Sequence, residues 1–307
     1  MTVRIRIAGY QDEPSVHTRA VRVMLAALER STSAIAAEFE RNIADRGRKV
    51  ADLLGLVASG ELDLCYFSSS YLTERVPALG VLDIPFQFTD RDETRTRLEG
   101  DLGTILKREI ATHTGYVALA FWDNGLRHIS NAKRPLRVPA DCKGLCIRTL
   151  PSAGYHATFR ALGMAPVTID VAEMVKAIAS GAVDAQENPL TNIELFGLQR
   201  HHRHVTMTGH FHGIAAVLCN AGAWAGWPDG VRAMLSSALA EATRAQWRFS
   251  AQDDITCRAS LRAQGVAIVD LDEDARAAFR HAVQPVIDAQ LAALPRELAA
   301  LLPALAR

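Results

Sequence analysis

Arg148 is the residue best placed to do chemistry. It follows the apolar run Gly144-Leu145-Cys146-Ile147, and a guanidinium at the carboxyl end of a strand can hold a carboxylate through two parallel charge-assisted hydrogen bonds. The plainer alternative is a surface arginine paired to a nearby acid. Arg127, in the turn Asn124-Gly125-Leu126-Arg127-His128, is a second candidate cation or bridging group, or else a turn arginine in water. Asn188 precedes Pro189, which keeps it extended, so its amide can donate and accept at a strand end. Gln11, Ser69 and Tyr71 are polar candidates with a weaker case, because turns after strands are polar anyway. Trp122, Phe67 and Phe211 are candidate cleft walls, against the alternative of aromatic core packing.

Other chemistries find little support. GxGxxG after the first strand, GxxxxGK[ST], GxSxG and HExxH are all absent. Glu13, Asp83 and His17 are the nameable general bases for an enzyme acting on a small carboxylate, and none has a visible partner. No catalytic residue, cofactor or metal is expected. The histidines His201, His202, His204, His210 and His212 lack ligand spacing with carboxylates or cysteines and read as solvated. The cysteines are Cys65, Cys142, Cys146, Cys219 and Cys257, an odd number without CxxC, so neither a disulfide framework nor a zinc site is expected. Cys142 and Cys146 read as small core residues.

The 307 residues suffice for one large domain or two of about 150. Lys+Arg and Asp+Glu both number 34, so no global field draws the chain to nucleic acid or to an anionic membrane. No apolar run reaches the roughly 18 residues of a membrane span. The N-terminus enters a strand pattern without a secretory signal; either the protein is cytoplasmic or the signal has been removed.

The elements that must position the candidates repeat. Val3–Tyr10 alternates as a strand, 17–30 is helical, 35–43 is a second strand, 48–59 is a helix stopping at Gly60, and 62–67 is a third strand. Residues 144–148, 152–162, 166–169, 171–180 and 183–186 repeat the pattern, the second helix stopping at Gly181. The phrases VASGELDL and IASGAVDA share the glycine and an aspartate three residues on, Asp63 and Asp184. Two such units predict an α/β protein with two lobes, each a mostly parallel sheet flanked by helices. Ligands in open α/β sheets sit outside the carboxyl ends of the strands, so Tyr10-Gln11, Ser68–Tyr71, Arg148-Thr149 and Glu187-Asn188 should meet at a cleft. A single larger α/β domain is the alternative. Val81–Phe86 reads as a buried strand and turn, Ala118–Trp122 and Gly213–Cys219 as strands, and 125–139 as a turn-rich crossing. Helices are expected near 227–262, 272–294 and 297–305.

The stretch Trp122–Asn192 resembles the TRAP-type solute-binding receptors of the DctP type. It carries a glycine-then-arginine turn, the strand "VPADCKGLCIR", the segment "APV" and the ending "DAQENP"; "VLDIPFQFTDRDE" resembles their Pro-Phe segment. The resemblance covers about residues 3–290. It departs at Cys142 and Cys146 and at the opening "GYQDEPSVHTRA".

The resemblance implies a two-lobed periplasmic binding protein, type II-like, with lobe I near 1–124 and 212–250, lobe II near 125–211 and 251–307, and a long helix spanning both. It implies a periplasmic receptor that closes on an organic acid and serves the membrane subunits of an ion-driven tripartite transporter, with Arg148 as the main carboxylate clamp supported by Arg127 and Asn188. A monomer without nucleic acid is expected. The polar groups favour a hydroxylated monocarboxylate or sugar acid, with an aromatic or branched 2-oxo acid or a dicarboxylate as alternatives. A purely sensory subunit remains a further reading.

Overall fold

A computed structural model describes residues 2–31 and 34–303. The first unit runs β1 (Val3–Ala8), α1 (Val16–Ser31), β2 (Ile35–Glu40), α2 (Asp52–Ala58) and β3 (Leu64–Ser68). β1 pairs in parallel with both β2 and β3. α1 turns Val21, Met24 and Leu28 inward, the helical spacing that buries one face. α3 (Arg91–Glu99) and α4 (Asp101–His113) follow.

The second unit runs β5 (Cys146–Thr149), α5 (Ala153–Ala161), β6 (Ala165–Thr168), α6 (Val171–Ala179), β7 (Ala185–Asn188) and α7 (Leu190–Leu195). β5 pairs in parallel with β6 and β7. Two long antiparallel strands join the units, β4 (Tyr116–Asn131) and β8 (His204–Asn220). The sheet order is β2-β1-β3-β8-β4-β7-β5-β6. The chain ends with α8 (Ala221–Gly226), α9 (Asp229–Ala263), β9 (Ala267–Asp270, paired to β8), α10 (Glu273–Ala282), α11 (Gln284–Ala293) and α12 (Arg296–Ala299). This is the two-lobed α/β architecture expected of a periplasmic binding protein.

The repeated phrases do the same work twice. Gly60 and Gly181 take the left-handed conformation just past α2 and α6, at φ 77° and 73°, where a side chain would be strained. Asp63 accepts from the Arg6 backbone N–H at 2.6 Å, and Asp184 from that of Cys146 at 2.9 Å. Each aspartate thereby ties the start of its own strand to the parallel neighbour.

Several sequence expectations need correction. Val81–Phe86 is no strand: Pro77–Asp83 is a 3-10 helix, and the chain leaves it through Phe86 at φ 59°. Leu79, Val81, Leu82 and Ile84 are all buried, and a continuous apolar run does not distinguish a strand from a buried coil of helix. The crossing 125–139 is strand up to Asn131. The helix expected over 272–294 breaks in two, with α11 starting just before Pro285, which fits a first helical turn but not an interior. Helix is confined to Arg296–Ala299 in the last segment, and Leu305 lies outside the described residues. The C-terminal residues also reach the first unit: Gln87 and Arg97 donate to the Pro303 and Leu301 carbonyls, both at 2.6 Å.

Candidate functional site

The strand ends converge where the units face each other. The first contributes Tyr10, Ser68 and Tyr71; the crossing strand β4 contributes Asn124 and Arg127. The second contributes Arg148 from β5 and Leu150 just after it, Val171 and Met174 from α6, and Asn188, Asn192 and Phe196 around α7. They enclose about 20 Å³, on the scale of one water-sized body. The cleft is drawn nearly shut.

Arg148 and Arg127 are each only 1% exposed, yet differ in their partners. Arg127 Nε and Nη2 grip the Glu187 carboxylate, Nη2 lying 3.0 Å from Oε1, and Nη2 also donates to the Glu187 carbonyl at 2.8 Å. Thr149 donates to Glu187 at 3.0 Å, and His210 lies 3.7 Å from it. Burial alone would raise the Glu187 pKa, but the Arg127 charge reverses this and holds it down to about 2. Arg148 has no carboxylate within 4.0 Å among the described residues. Its Nε donates to the Ile169 carbonyl at 3.0 Å, while Nη2 is buried without any hydrogen-bond partner. The Tyr71 hydroxyl beside it is likewise buried and unpartnered. Its pKa is raised by burial against the pull of Arg148.

The sequence-derived candidates sort into three groups. Arg148, Arg127, Asn188 and Tyr71 line the cavity. Gln11 and Phe67 sit just behind it: the Gln11 amide donates to Asn192 at 3.1 Å, and Phe67 packs edge-on against Tyr71 with ring centres 4.8 Å apart. Ser69, Trp122 and Phe211 are elsewhere. Ser69 donates to the Ile214 carbonyl at 3.0 Å, so its neighbour Ser68 faces the cavity instead. Trp122 is a core residue bonded to Thr243 at 2.9 Å, and Phe211 stacks on Tyr155 at 3.9 Å.

The candidate bases do not assemble. Glu13 pairs with Arg22 at the surface at 2.6 Å. His17 is buried against Asn124 at 3.0 Å, and burial lowers its pKa to about 4. Asp83 receives Ser70 and Ser152 at 2.7 and 2.6 Å. His202, His210 and His212 are buried rather than solvated, and among the described residues no three His, Cys, Asp or Glu side chains gather as a metal site.

The residues missed were Asn124 and Asn192, inside phrases already singled out, together with the apolar wall of Leu150, Val171, Met174 and Phe196, whereas Tyr10 lines the cavity as a strand-end residue should. The Asn124 signal was its place before Gly125, at an irregularity of the β4–β8 register between Asp123 and Gly125. The apolar wall had no signal, since such residues are ordinarily core.

Residues 48–293 match the family model for bacterial extracellular solute-binding proteins, family 7, DctP. A solute-binding protein of Verminephrobacter eiseniae is 32% identical over 75% of this chain and 68% of its own length. The 2,3-diketo-L-gulonate-binding periplasmic protein YiaO of Escherichia coli is 31% identical over 71% of this chain and 67% of its own. A crystal structure of a TRAP periplasmic solute-binding protein from Bordetella, with density assigned to pantoate, superposes with a TM-score of 0.90 at 27% identity, covering 98% of both chains. These relatives are solute receptors, not enzymes. With two lobes meeting over converging strand ends, the chain belongs to family 7 of the bacterial extracellular solute-binding proteins, the DctP-type periplasmic receptors of TRAP transporters.

Proposed function

We propose that this receptor binds a small hydroxylated monocarboxylate and delivers it to the membrane subunits of a TRAP transporter. The observation that carries this reading is the buried, unpartnered Nη2 of Arg148 next to an unpartnered Tyr71 hydroxyl. A buried cation without a counter-ion is costly, and a ligand carboxylate would supply the missing charge and hydrogen bonds together. Tyr10, Ser68, Asn124, Asn188 and Asn192 surround it with neutral polar groups suited to hydroxyls. Arg127 is committed to Glu187, so among the described residues that line the cavity Arg148 is the one cation left free, which favours one carboxylate over two. Relatives agree in kind: the Escherichia coli protein is named for 2,3-diketo-L-gulonate, and a Polaromonas receptor is bound to D-erythronate.

A second reading has its own support. The wall of Leu150, Val171, Met174 and Phe196 suits a branched acid such as the pantoate assigned in the Bordetella structure.

Because the space between the side chains is small, the acid enters an opened cleft and the units then close, bending near 124–125 and 211–212 on β4 and β8. Closure removes water and strengthens the ionic contact. We read the protein as a monomer, because among the described residues the exposed large apolar side chains are Val138, Val175 and Ile255 alone.

Thermal unfolding against a panel of four- to six-carbon aldonates, uronates, branched hydroxy and 2-oxo acids, and dicarboxylates tests the reading. A ligand at about 100 times its Kd adds about 2.7 kcal/mol. A shift with a monocarboxylate that disappears in Arg148→Ala supports it. No shift with any acid, or an equal shift in the variant, overturns it.

A further inference from the structure

Arg148 is not held by a charge but by a carbonyl, that of Ile169, at 3.0 Å. The next residue, Asp170, does two things at once. Within its own unit it caps α6, accepting from the Ala172 N–H at 2.9 Å. Across the cleft it accepts from two backbone N–H groups of the first unit, Val50 at 3.2 Å and Ala51 at 3.3 Å. Among the described residues the Ala51 N–H makes no other hydrogen bond. The following residue, Val171, lines the cavity. Three consecutive residues thus touch the ligand-gripping arginine, the opposite unit and the ligand space.

We infer that Asp170 is a positioning residue that converts occupation of Arg148 into a held, closed cleft. The inference rests on the acid-receptor reading and deepens it. A carboxylate on Arg148 fixes the guanidinium, and its Nε keeps the Ile169 carbonyl in place. The Asp170 carboxylate then meets the Val50 and Ala51 N–H groups as the units come together. Because those bonds join the two units, they exist only in the closed arrangement. They bias the open–closed equilibrium without touching the ligand. Their signature is kinetic: they form after the encounter, so they slow release and leave capture nearly unchanged. Gln11 to Asn192 at 3.1 Å is a neutral cross-cleft bond of the same kind, but neither partner is joined to Arg148 through the backbone.

The test uses the full chain and stopped-flow kinetics with the acid that stabilises the wild type. Asp170→Ala should bind at a rate within about twofold of wild type and release about tenfold faster, the loss of hydrogen bonds to a charged acceptor. Asp170→Ala also removes the α6 cap, so a second variant cuts the contact from the other side. Ala51→Pro deletes one donor at a position whose φ of −61° suits proline. It should speed release in the same direction while leaving the cap intact, and the double variant should release no faster than Asp170→Ala. Unchanged release in Asp170→Ala, or additive effects in the double variant, overturns the inference. If no acid binds the wild type, the acid-receptor reading fails and the latch fails with it, whereas acid binding with unchanged release in Asp170→Ala sinks the latch alone.

Discussion

Two buried arginines stand at the ends of neighbouring structural roles. Around Arg127, where β4 crosses beside β7, every charge is answered: Glu187 takes the guanidinium, and Thr149 and His210 surround the carboxylate. Around Arg148, near the end of β5, the described residues offer the Ile169 carbonyl and the neighbouring Tyr71 but no carboxylate. Both side chains are equally hidden from water, so burial does not separate a structural cation from a binding one. The count of committed partners does. The first region spends its charge on joining the crossing strand to the second unit, and the second has no acid partner for its charge among the described residues, which is why Arg148 is the cation proposed for a solute.

The sharpest way to break this comparison is to remove the committed partner. Glu187→Ala leaves Arg127 buried and uncompensated, and should cost about 3–5 kcal/mol of folding stability, read by urea unfolding. A loss below about 1 kcal/mol would mean that Arg127 is not tied into the fold and is as free as Arg148. The complementary change is Arg148→Ala. It should cost about 2–5 kcal/mol in acid binding by calorimetry, with the stability of the free protein little changed, because the change strands no charge and frees only the Ile169 carbonyl. A drop in free-protein stability as large as that of Glu187→Ala would erase the distinction between the two regions.

The crossing itself supplies the next effect. Gly125 sits at φ 96°, and a Cβ there would lie 2.9 Å from the Pro189 Cβ. The ring after Asn188 thus packs where β4 changes register. Gly125→Ala should cost about 1–3 kcal/mol of stability, measured by thermal unfolding, and should weaken acid binding less than Arg148→Ala does. If binding suffers more than folding, the crossing contributes to the ligand site directly.

How much of this could be read from the sequence follows from what each feature depends on. The two units, their glycine stops and the aspartates Asp63 and Asp184 were legible because each acts over a few residues of one strand or helix end. The place of Arg148 in the cavity lining was legible for the same reason, near the end of a short strand. The role of Arg127 was not. Its partner Glu187 lies 60 residues on, brought near only by the antiparallel register that sets Ile129 opposite Glu187 and His128 opposite Asn188. Ser69 and Ser68 were confused because a one-residue step reverses which side a residue faces. Val81–Phe86 was misread because hydrophobicity without a period does not choose between strand and helix. His202, His210 and His212 were misjudged as solvated because their partners Ser130, Glu187 and Asp123 come from other strands.

The smallest effect concerns two buried acids whose pKa values burial raises alike but whose partners differ. Glu187 has an arginine and is held at about 2. Asp83 has only the hydroxyls of Ser152 and Ser70, so burial prevails and its pKa is raised to about 6. Its unfolded value is near 3.9, so the native state binds a proton there that the unfolded chain does not, and Asp83 adds stability as pH falls from about 6 towards 4. Burial lowers His17 and His202 to about 4 and His128 to about 3. Each takes its proton in the unfolded chain near 6.5, so each removes stability as pH falls below that value. Three histidines outweigh one aspartate, and stability should decline between pH 6 and 5, with Asp83 offsetting part of the decline. Asp83→Asn removes that offset. The slope of unfolding free energy against pH in this window should steepen by about 1 kcal/mol per pH unit, whatever the substitution does to stability at pH 7. An unchanged slope would place Asp83 with Glu187, as an acid whose charge is already answered.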